Sequence, residues 1–372
     1  MPRPGYDDVH LVTGFPSFVA RRVVCDLLDD EPRALVFVVV LPRFVPAAAE
    51  VLDGLPRDRR ERVVLLEGDA AAIDLGLGGA EYMEVARSVD WVHHLAHASY
   101  AGGERRHAEQ VNVGGAAEIV ELARNAPHLR CLVFHSTTNV AGDRTGVVYE
   151  HELETGQSFR NPVEETRMRA ERLVRKAMTD HPIAIVRPAP VVGDSGSGKT
   201  RRFDGPNLLF LLLVAAPQDL RIPLLGRGDA PLHFVPVDFV SRASRAIARH
   251  PAAPGGTFHL VDPAPPTAAR VFELIARAAG KRAPGGSIPE ALARVLLRAP
   301  GLERIAGDPR TLAEQLVQRV RFDATRAQAL LGRQGIVCPP FTSYVENVVG
   351  ALEEHLGRPR APDPAVVEPS PP

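Results

Sequence analysis

Lysine is almost missing from this chain. Lys176, Lys199 and Lys281 are the only three among 44 basic residues, so any chemistry that needs an ammonium at one place has three candidates in 372 residues. Cysteine is equally scarce. Cys25, Cys131 and Cys338 are far apart, odd in number and match no metal-ligand spacing, which excludes a disulfide framework and a thiolate zinc site and predicts reduced thiols. There is no surplus of charge: 44 basic against 45 acidic residues leave a net −1, which offers no electrostatic footprint for nucleic acid or an anionic membrane. Long hydrophobic runs are lacking too. The most apolar, Leu208 to Ala216, has nine residues where about 20 are needed to span a bilayer. The opening MPRPGYDD has neither the basic nor the apolar region of a secretory signal. A cytoplasmic protein without a membrane span is expected.

What is there is an ordinary globular composition, 45% hydrophobic and 24% charged, enough to bury a sizeable core. Short apolar runs at Val9–Val12, Ala34–Leu41, Val63–Leu66, Trp91–Leu95, Leu129–Phe134 and Ile183–Val186 alternate with helical periodicity over Phe18–Leu28, Ala80–Arg87, Val111–Arg124 and Pro162–Met178. Strands alternating with helices predict βαβ units, hence an α/β fold of Rossmann type: a doubly wound parallel sheet. Residues 1–190 are read as a dinucleotide-binding Rossmann domain. Residues 191–356, with a strand-like 231–238 and helices near 239–249, 267–280 and 288–298, are read as sheet completion and a smaller C-terminal substrate lobe. The proline-dense 357–372 is read as a disordered tail.

The first strand runs into Thr13-Gly14-Phe15-Pro16-Ser17-Phe18-Val19-Ala20 and then a helix. A turn there gathers free backbone N–H groups and the positive end of a helix dipole, which suits a dinucleotide pyrophosphate. This stretch resembles the TGxxGxxG turn of the extended short-chain dehydrogenase/reductases, with Gly14 kept and Ser17 and Ala20 in place of the later glycines. Ala20 alters only the packing of helix on strand. Ser17 adds a Cβ where backbone must approach phosphate. The resemblance continues. Asp69 matches an Asp placed near the adenine, Leu95-Ala96-His97-Ala98 the small-residue turn under the cofactor, and Asn112-Val113 the pair opening the next helix. Phe134 to Gly142 matches the strand-end Ser/Thr segment, and Arg187-Pro188 with Val191-Val192-Gly193-Asp194, Phe234 to Asp238 and Phe258-His259-Leu260 match later landmarks. Among subgroups the chain looks closest to the bacterial thioester-reductase or fatty-acyl-reductase-like branch. After the second strand comes Pro42-Arg43 and no carboxylate, which favours NADP(H) over NAD(H), with Arg43 toward the 2′-phosphate.

The family's reaction uses a Tyr hydroxyl to move a proton, a Lys four residues on, and a Ser/Thr hydroxyl on the substrate carbonyl; four-residue spacing puts Tyr and Lys on one helical face. Here Val163 stands at the Tyr position and Arg167 at the Lys position, and Thr137 alone keeps its expected role. No other frame rescues the pair. Tyr6, Tyr82, Tyr100, Tyr149 and Tyr344 are followed four residues later by His10, Ala86, Glu104, Leu153 and Val348. Two readings stay open: a degenerate member that keeps the fold and cofactor site, or a working oxidoreductase on an acyl thioester, aldehyde or ketone with its proton donor moved to Tyr100, His97 or Tyr149. The resemblance also implies a homodimer.

Three further motifs fail on their context. Gly193 to Thr200 satisfies GxxxxGK[ST], yet Gly205 and Pro206 soon after make a poor helix start, so no nucleoside-triphosphate site is expected. His93, His94 and His97 crowd one strand end, but His93 and His94 point to opposite faces and no carboxylate or Cys adjoins them, so no metal site is expected. Asp194-Ser195-Gly196-Ser197-Gly198 is not a nucleophile elbow.

Overall fold

The computed structural model describes residues 5–98, 105–201, 205–218, 223–225, 227–282, 285–288, 316 and 318–357. Its centre is a seven-stranded, wholly parallel sheet. The strands are β1 (Asp8–Thr13), β2 (Ala34–Val40), β3 (Val63–Glu67), β4 (Trp91–His94), β5 (Cys131–His135), β6 (Ile183–Pro188) and β7 (Thr257–Leu260), in the order β7-β6-β5-β4-β1-β2-β3. The order reverses beside β1, and in sheets of this kind that switch point marks where ligands bind. All seven residues of β2, ALVFVVV, are buried, as a strand covered on both faces requires.

Alternation along the strands sorts the side chains into two layers. Val9, Leu11, Val92, Leu132 and Phe134 join one core with the helices Gly79–Ser88, Gly115–Asn125 and Pro162–Ala177. Val12, Val36, Val38 and Val40 join another with the helix Phe18–Asp30. The helix Pro162–Ala177 starts where local chemistry dictates. Asn161 Oδ1 accepts the Glu164 N–H at 3.0 Å, Pro162 opens the first turn, Glu164 and Glu165 face the positive end of the dipole, and Arg175 and Lys176 the negative end.

The chain forms two compact units. One comprises Met1–Val191, Val237–Pro263 and Val320–Cys338; the other Val192–Pro236, Ala264–Arg319 and Pro339–Pro372. The chain thus returns to the sheet unit twice after residue 191, first with β7 and then with the short strand Val320–Phe322, which pairs with Gly146–Val148. In the second unit the helices Gly205–Ala215, Ala268–Ala278 and Val345–His355 enclose Phe210, Phe234, Phe341 and Tyr344. Phe234 and Phe341 meet edge to face at 4.8 Å. The apolar run at 208–216 is mostly helix here, and Lys281 Nζ closes its end by donating to the Leu213 carbonyl at 3.0 Å and to those of Val214 and Ala216.

One expectation needs correction. The strand-like 231–238 yields only a bridge from Pro231 to Thr267 and the two-residue strand Val235–Pro236 before the helix Val237–Arg249 begins. Its apolar alternation serves the aromatic core instead. The Phe258-His259-Leu260 landmark belongs to β7 and completes the sheet at its edge. Ser287–Ile288 is a short strand, and the rest of the helix expected near 288–298 and the tail after 357 lie outside the described residues. No helix among the described residues is long and apolar enough to cross a membrane.

Candidate dinucleotide site

Gly14 follows β1 with φ +80°, and a Cβ there would lie 2.7 to 2.8 Å from the backbone of Leu95 and Ala96, so only glycine fits. Ser17 is different. It caps the helix Phe18–Asp30 with φ −59°, is exposed, and its hydroxyl makes no cap bond. A negative φ carries no demand for glycine, so the turn keeps its path, with the Ser17 N–H donating to the Gly14 carbonyl at 2.9 Å. The helix's first N–H groups receive no side-chain cap from Ser17. Ala20, one turn on, is wholly buried against the sheet.

Thr13 is also fully buried, and its hydroxyl is spent inside the protein: it accepts from the amides of Leu95 and Ala96 and faces His94 Nδ1, all at 3.1 Å. It ties the end of β1 to the turn after β4. His97 Nδ1 lies 2.7 Å from the Leu95 carbonyl, and the Ala98 amide donates to Asn112 Oδ1 at 2.9 Å. Asn112 sits in a π-helical turn, Gln110–Gly114, and its Nδ2 donates to Thr166 Oγ1 at 2.9 Å; that hydroxyl bonds the Pro162 and Val163 carbonyls. The small-residue turn and the head of the 162–177 helix are thereby joined through one buried amide.

Arg43 lies past the end of β2 in the turn Pro42–Phe44, exposed, with its guanidinium carbon 4.9 Å from the centroid of the Phe44 ring. Asp69, half-buried after β3, accepts the Ala71 amide at 2.9 Å. A glycine cradle, uncapped helix N–H groups, a small-residue turn and an exposed guanidinium all stand at the carboxyl edge beside the switch point. That donor set fits a dinucleotide, with the backbone at 14–20 toward the pyrophosphate.

The residues expected at the reactive positions, Thr137, Val163 and Arg167, are also brought to this edge. Thr137, half-buried after β5, accepts the Asn139 amide at 3.2 Å. Val163 occupies the first turn of the 162–177 helix. Arg167, one turn on and 6% exposed, donates through Nη2 to the His135 carbonyl at 2.7 Å. Burial, and then the nearby Arg167 charge, press His94 and His135 down to about 3, so both are neutral. Of the suggested proton donors, Tyr149 is 45% exposed and stacked on His151, His97 is half-buried, and Tyr100 lies outside the described residues.

Sequence reading missed the polar network behind these residues. Glu171 and Arg187, both buried, form a two-pronged pair with contacts of 2.6 to 3.1 Å. Ser136 donates to Glu171 at 2.6 Å, and Arg187 reaches His259 Nε2 at 3.1 Å and the Glu152 carbonyl at 2.7 Å. Burial raises the Glu171 carboxyl, but Arg187, Arg175 and Ser136 outweigh it and hold it below the usual range. The Arg-Pro and Phe-His-Leu landmarks were the available signal. The GxxxxGK[ST] span is closed upon itself: Asp194 Oδ1 accepts from Gly196 N, Ser197 N and Ser197 Oγ at 2.7 to 3.1 Å, where a phosphate would have to sit. Among the described residues no group of three His, Cys, Asp or Glu could hold a metal ion.

Residues 12–244 match the model of an NAD-binding family described as male sterility protein. The chain belongs to this family, within the extended short-chain dehydrogenase/reductases. It is 28% identical over 284 residues to the glycine betaine reductase ATRR of Emericella nidulans, covering 71% of this chain and 22% of that protein. It is 28% identical over 272 residues to the non-canonical nonribosomal peptide synthetase FrzA of a Cladobotryum species, covering 68% of this chain and 26% of that protein. A fatty acyl-CoA reductase of Drosophila melanogaster is 24% identical over 214 residues, 51% of this chain and 41% of that one. The chain therefore spans less than half the length of these relatives. The terminal R domain of the myxalamid biosynthetic pathway shares its fold, with TM-score 0.79 at 23% identity over 97% of this chain and 94% of that one.

Proposed function

We propose that this chain is a thioester-reductase-like domain that holds NADP(H) in preference to NAD(H) and has lost the family's proton-transfer pair. The observation that carries the reading is the pairing of the Gly14 turn, the small-residue turn after β4 and the exposed Arg43 with Val163 at the head of the 162–177 helix, where no exchangeable proton exists. Relatives described as reductases, of glycine betaine and of fatty acyl-CoA, support a carboxyl-derived substrate class. A bound nicotinamide would supply hydride to a carbonyl carbon. This chain's own part would be Thr137 donating to the carbonyl oxygen, Arg167 fixing the end of β5, and Arg43 binding the 2′-phosphate. A positioned general acid contributes on the order of 10²–10⁴-fold, and Val163 contributes none of it.

Calorimetric titration with NADPH, NADP⁺, NADH and NAD⁺ should show binding with preference for the 2′-phosphate. NADPH oxidation with an acyl thioester should remain near background in the native chain and rise about a hundredfold or more in Val163→Tyr combined with Arg167→Lys. Robust native turnover that falls in His97→Ala or Tyr149→Phe would replace this reading with an active reductase using a relocated donor.

A further inference from the structure

His94 ends β4 and turns to the sheet face opposite His93. Its ring stacks on Phe134, centroids 5.4 Å apart and planes within 11°. A Cβ added at Gly115, at the head of the next helix, would stand 3.7 Å from the imidazole. The ring is clamped between strand and helix, 2% exposed, in a site where no metal ligand set forms among the described residues.

The Thr13 hydroxyl beside it has one hydrogen and two lone pairs to place. The amides of Leu95 and Ala96 both donate to Oγ1 at 3.1 Å, which uses the lone pairs. The hydrogen is left for His94 Nδ1, also at 3.1 Å. That nitrogen must therefore be bare and the ring's proton must sit on Nε2; an imidazolium would set donor against donor. The peptide between Leu95 and Ala96 held by this hydroxyl is the same one that Gly14 packs against, within 2.8 Å of where its Cβ would be.

We propose that His94 is a positioning residue for dinucleotide binding: as a neutral acceptor it orients the Thr13 hydroxyl, which pins the Leu95–Ala96 peptide against Gly14 and sets the cofactor edge. The inference rests on the dinucleotide reading above and adds to it a residue that touches no cofactor. His94→Phe keeps ring, stacking and volume but removes the acceptor, leaving the Thr13 hydrogen buried and unpaired. NADPH and NADH affinity should both fall about tenfold. His94→Asn, whose Oδ1 lies near the place of Nδ1, should restore most of the affinity although it gives up the stack on Phe134 and melts below the native chain, so that affinity follows the acceptor and not the stability. Thr13→Val, which also takes the acceptor from the Leu95 and Ala96 amides, should fall at least as far as His94→Phe, and the two together should fall no further than Thr13→Val alone.

In the native chain, ¹⁵N chemical shifts should show His94 Nδ1 unprotonated and Nε2 protonated, without titration between pH 5 and 8. That measurement stands even if His94→Phe fails to fold. A proton on Nδ1, or native affinity in His94→Phe, overturns the proposal and leaves the cofactor reading intact. Absence of all dinucleotide binding by the native chain overturns both.

Discussion

A single exposed side chain can decide which cofactor a shared fold accepts. Arg43 stands past β2 with its guanidinium over the Phe44 ring, a stack worth about 0.5–1 kcal/mol when exposed to solvent. The stack narrows the positions the guanidinium samples without using its N–H donors, so it stays available for a planar, two-pronged contact with phosphate. A charge-assisted contact of this kind contributes about 1.5–3 kcal/mol. Arg43→Ala should therefore weaken NADPH binding about tenfold or more and leave NADH within about twofold, read by titration of both. Equal losses for the two would show that Arg43 shapes the turn and does not read the 2′-phosphate. In the same turn the conformational demand for glycine falls on Gly14 alone, since Ser17 sits at φ −59° with its side chain exposed; the room its Cβ leaves for a phosphate is a separate demand.

Elements were legible where burial is two-sided. β2 reads as an unbroken apolar run because both of its faces are covered, and the helices between strands show one apolar stripe each. β7 is four residues long after a Pro/Gly stretch, too short to declare itself, and 231–238 alternates along its whole length although only Val235–Pro236 pairs as a strand. The network of Ser136, Glu171, Arg187 and His259 was illegible for another reason: its members come from four separate segments, and only the fold brings them within bonding distance. Its energetics are testable at this scale. Glu171→Gln leaves the Arg187 guanidinium buried without a counter-charge and should destabilise the sheet unit by about 3–5 kcal/mol, seen as a lower urea midpoint with unchanged slope. Glu171→Leu with Arg187→Met removes both charges and should recover most of that loss. If the double variant is no more stable than the single, the network's role is to tie β5, β6 and β7 together through hydrogen bonds more than to balance charge.

At the scale of the whole molecule, buried histidine sets the response to acid. His94, His135 and His259 are held down to about 3 and His93 is also lowered, in each case by burial first. For His94 and His135 the second cause is Arg167, for His259 it is Arg187, and for His93 the neighbouring His135. The unfolded chain protonates these rings near pH 6.5, while the folded chain keeps His93 neutral well below that and refuses the protons on His94, His135 and His259 until about pH 3. Below 6.5 the unfolded state therefore binds more protons, and stability that is complete at pH 7 drains away as the pH falls toward 3. Each ring that behaves this way contributes a slope of up to about 1.4 kcal/mol per pH unit. The carboxylates Asp8, Glu31 and Glu171, lowered from their ordinary values, add to the loss only below about pH 4.5, and Glu118 and Glu150, raised by burial, take up protons above it in the folded chain and oppose the loss, so the fall that begins at 6.5 comes from histidine. Trp91 is the only tryptophan and is buried, with the Arg249 and Arg130 guanidinium groups 4.8 and 5.6 Å from its ring, so its fluorescence follows the unfolding of the sheet unit. Urea midpoints read from it should be flat from pH 8 to 7, fall steeply from 6.5 to 5, and fall less steeply in His135→Phe. A midpoint constant down to pH 5 would mean that the folded protein takes up protons on these rings as readily as the unfolded chain does.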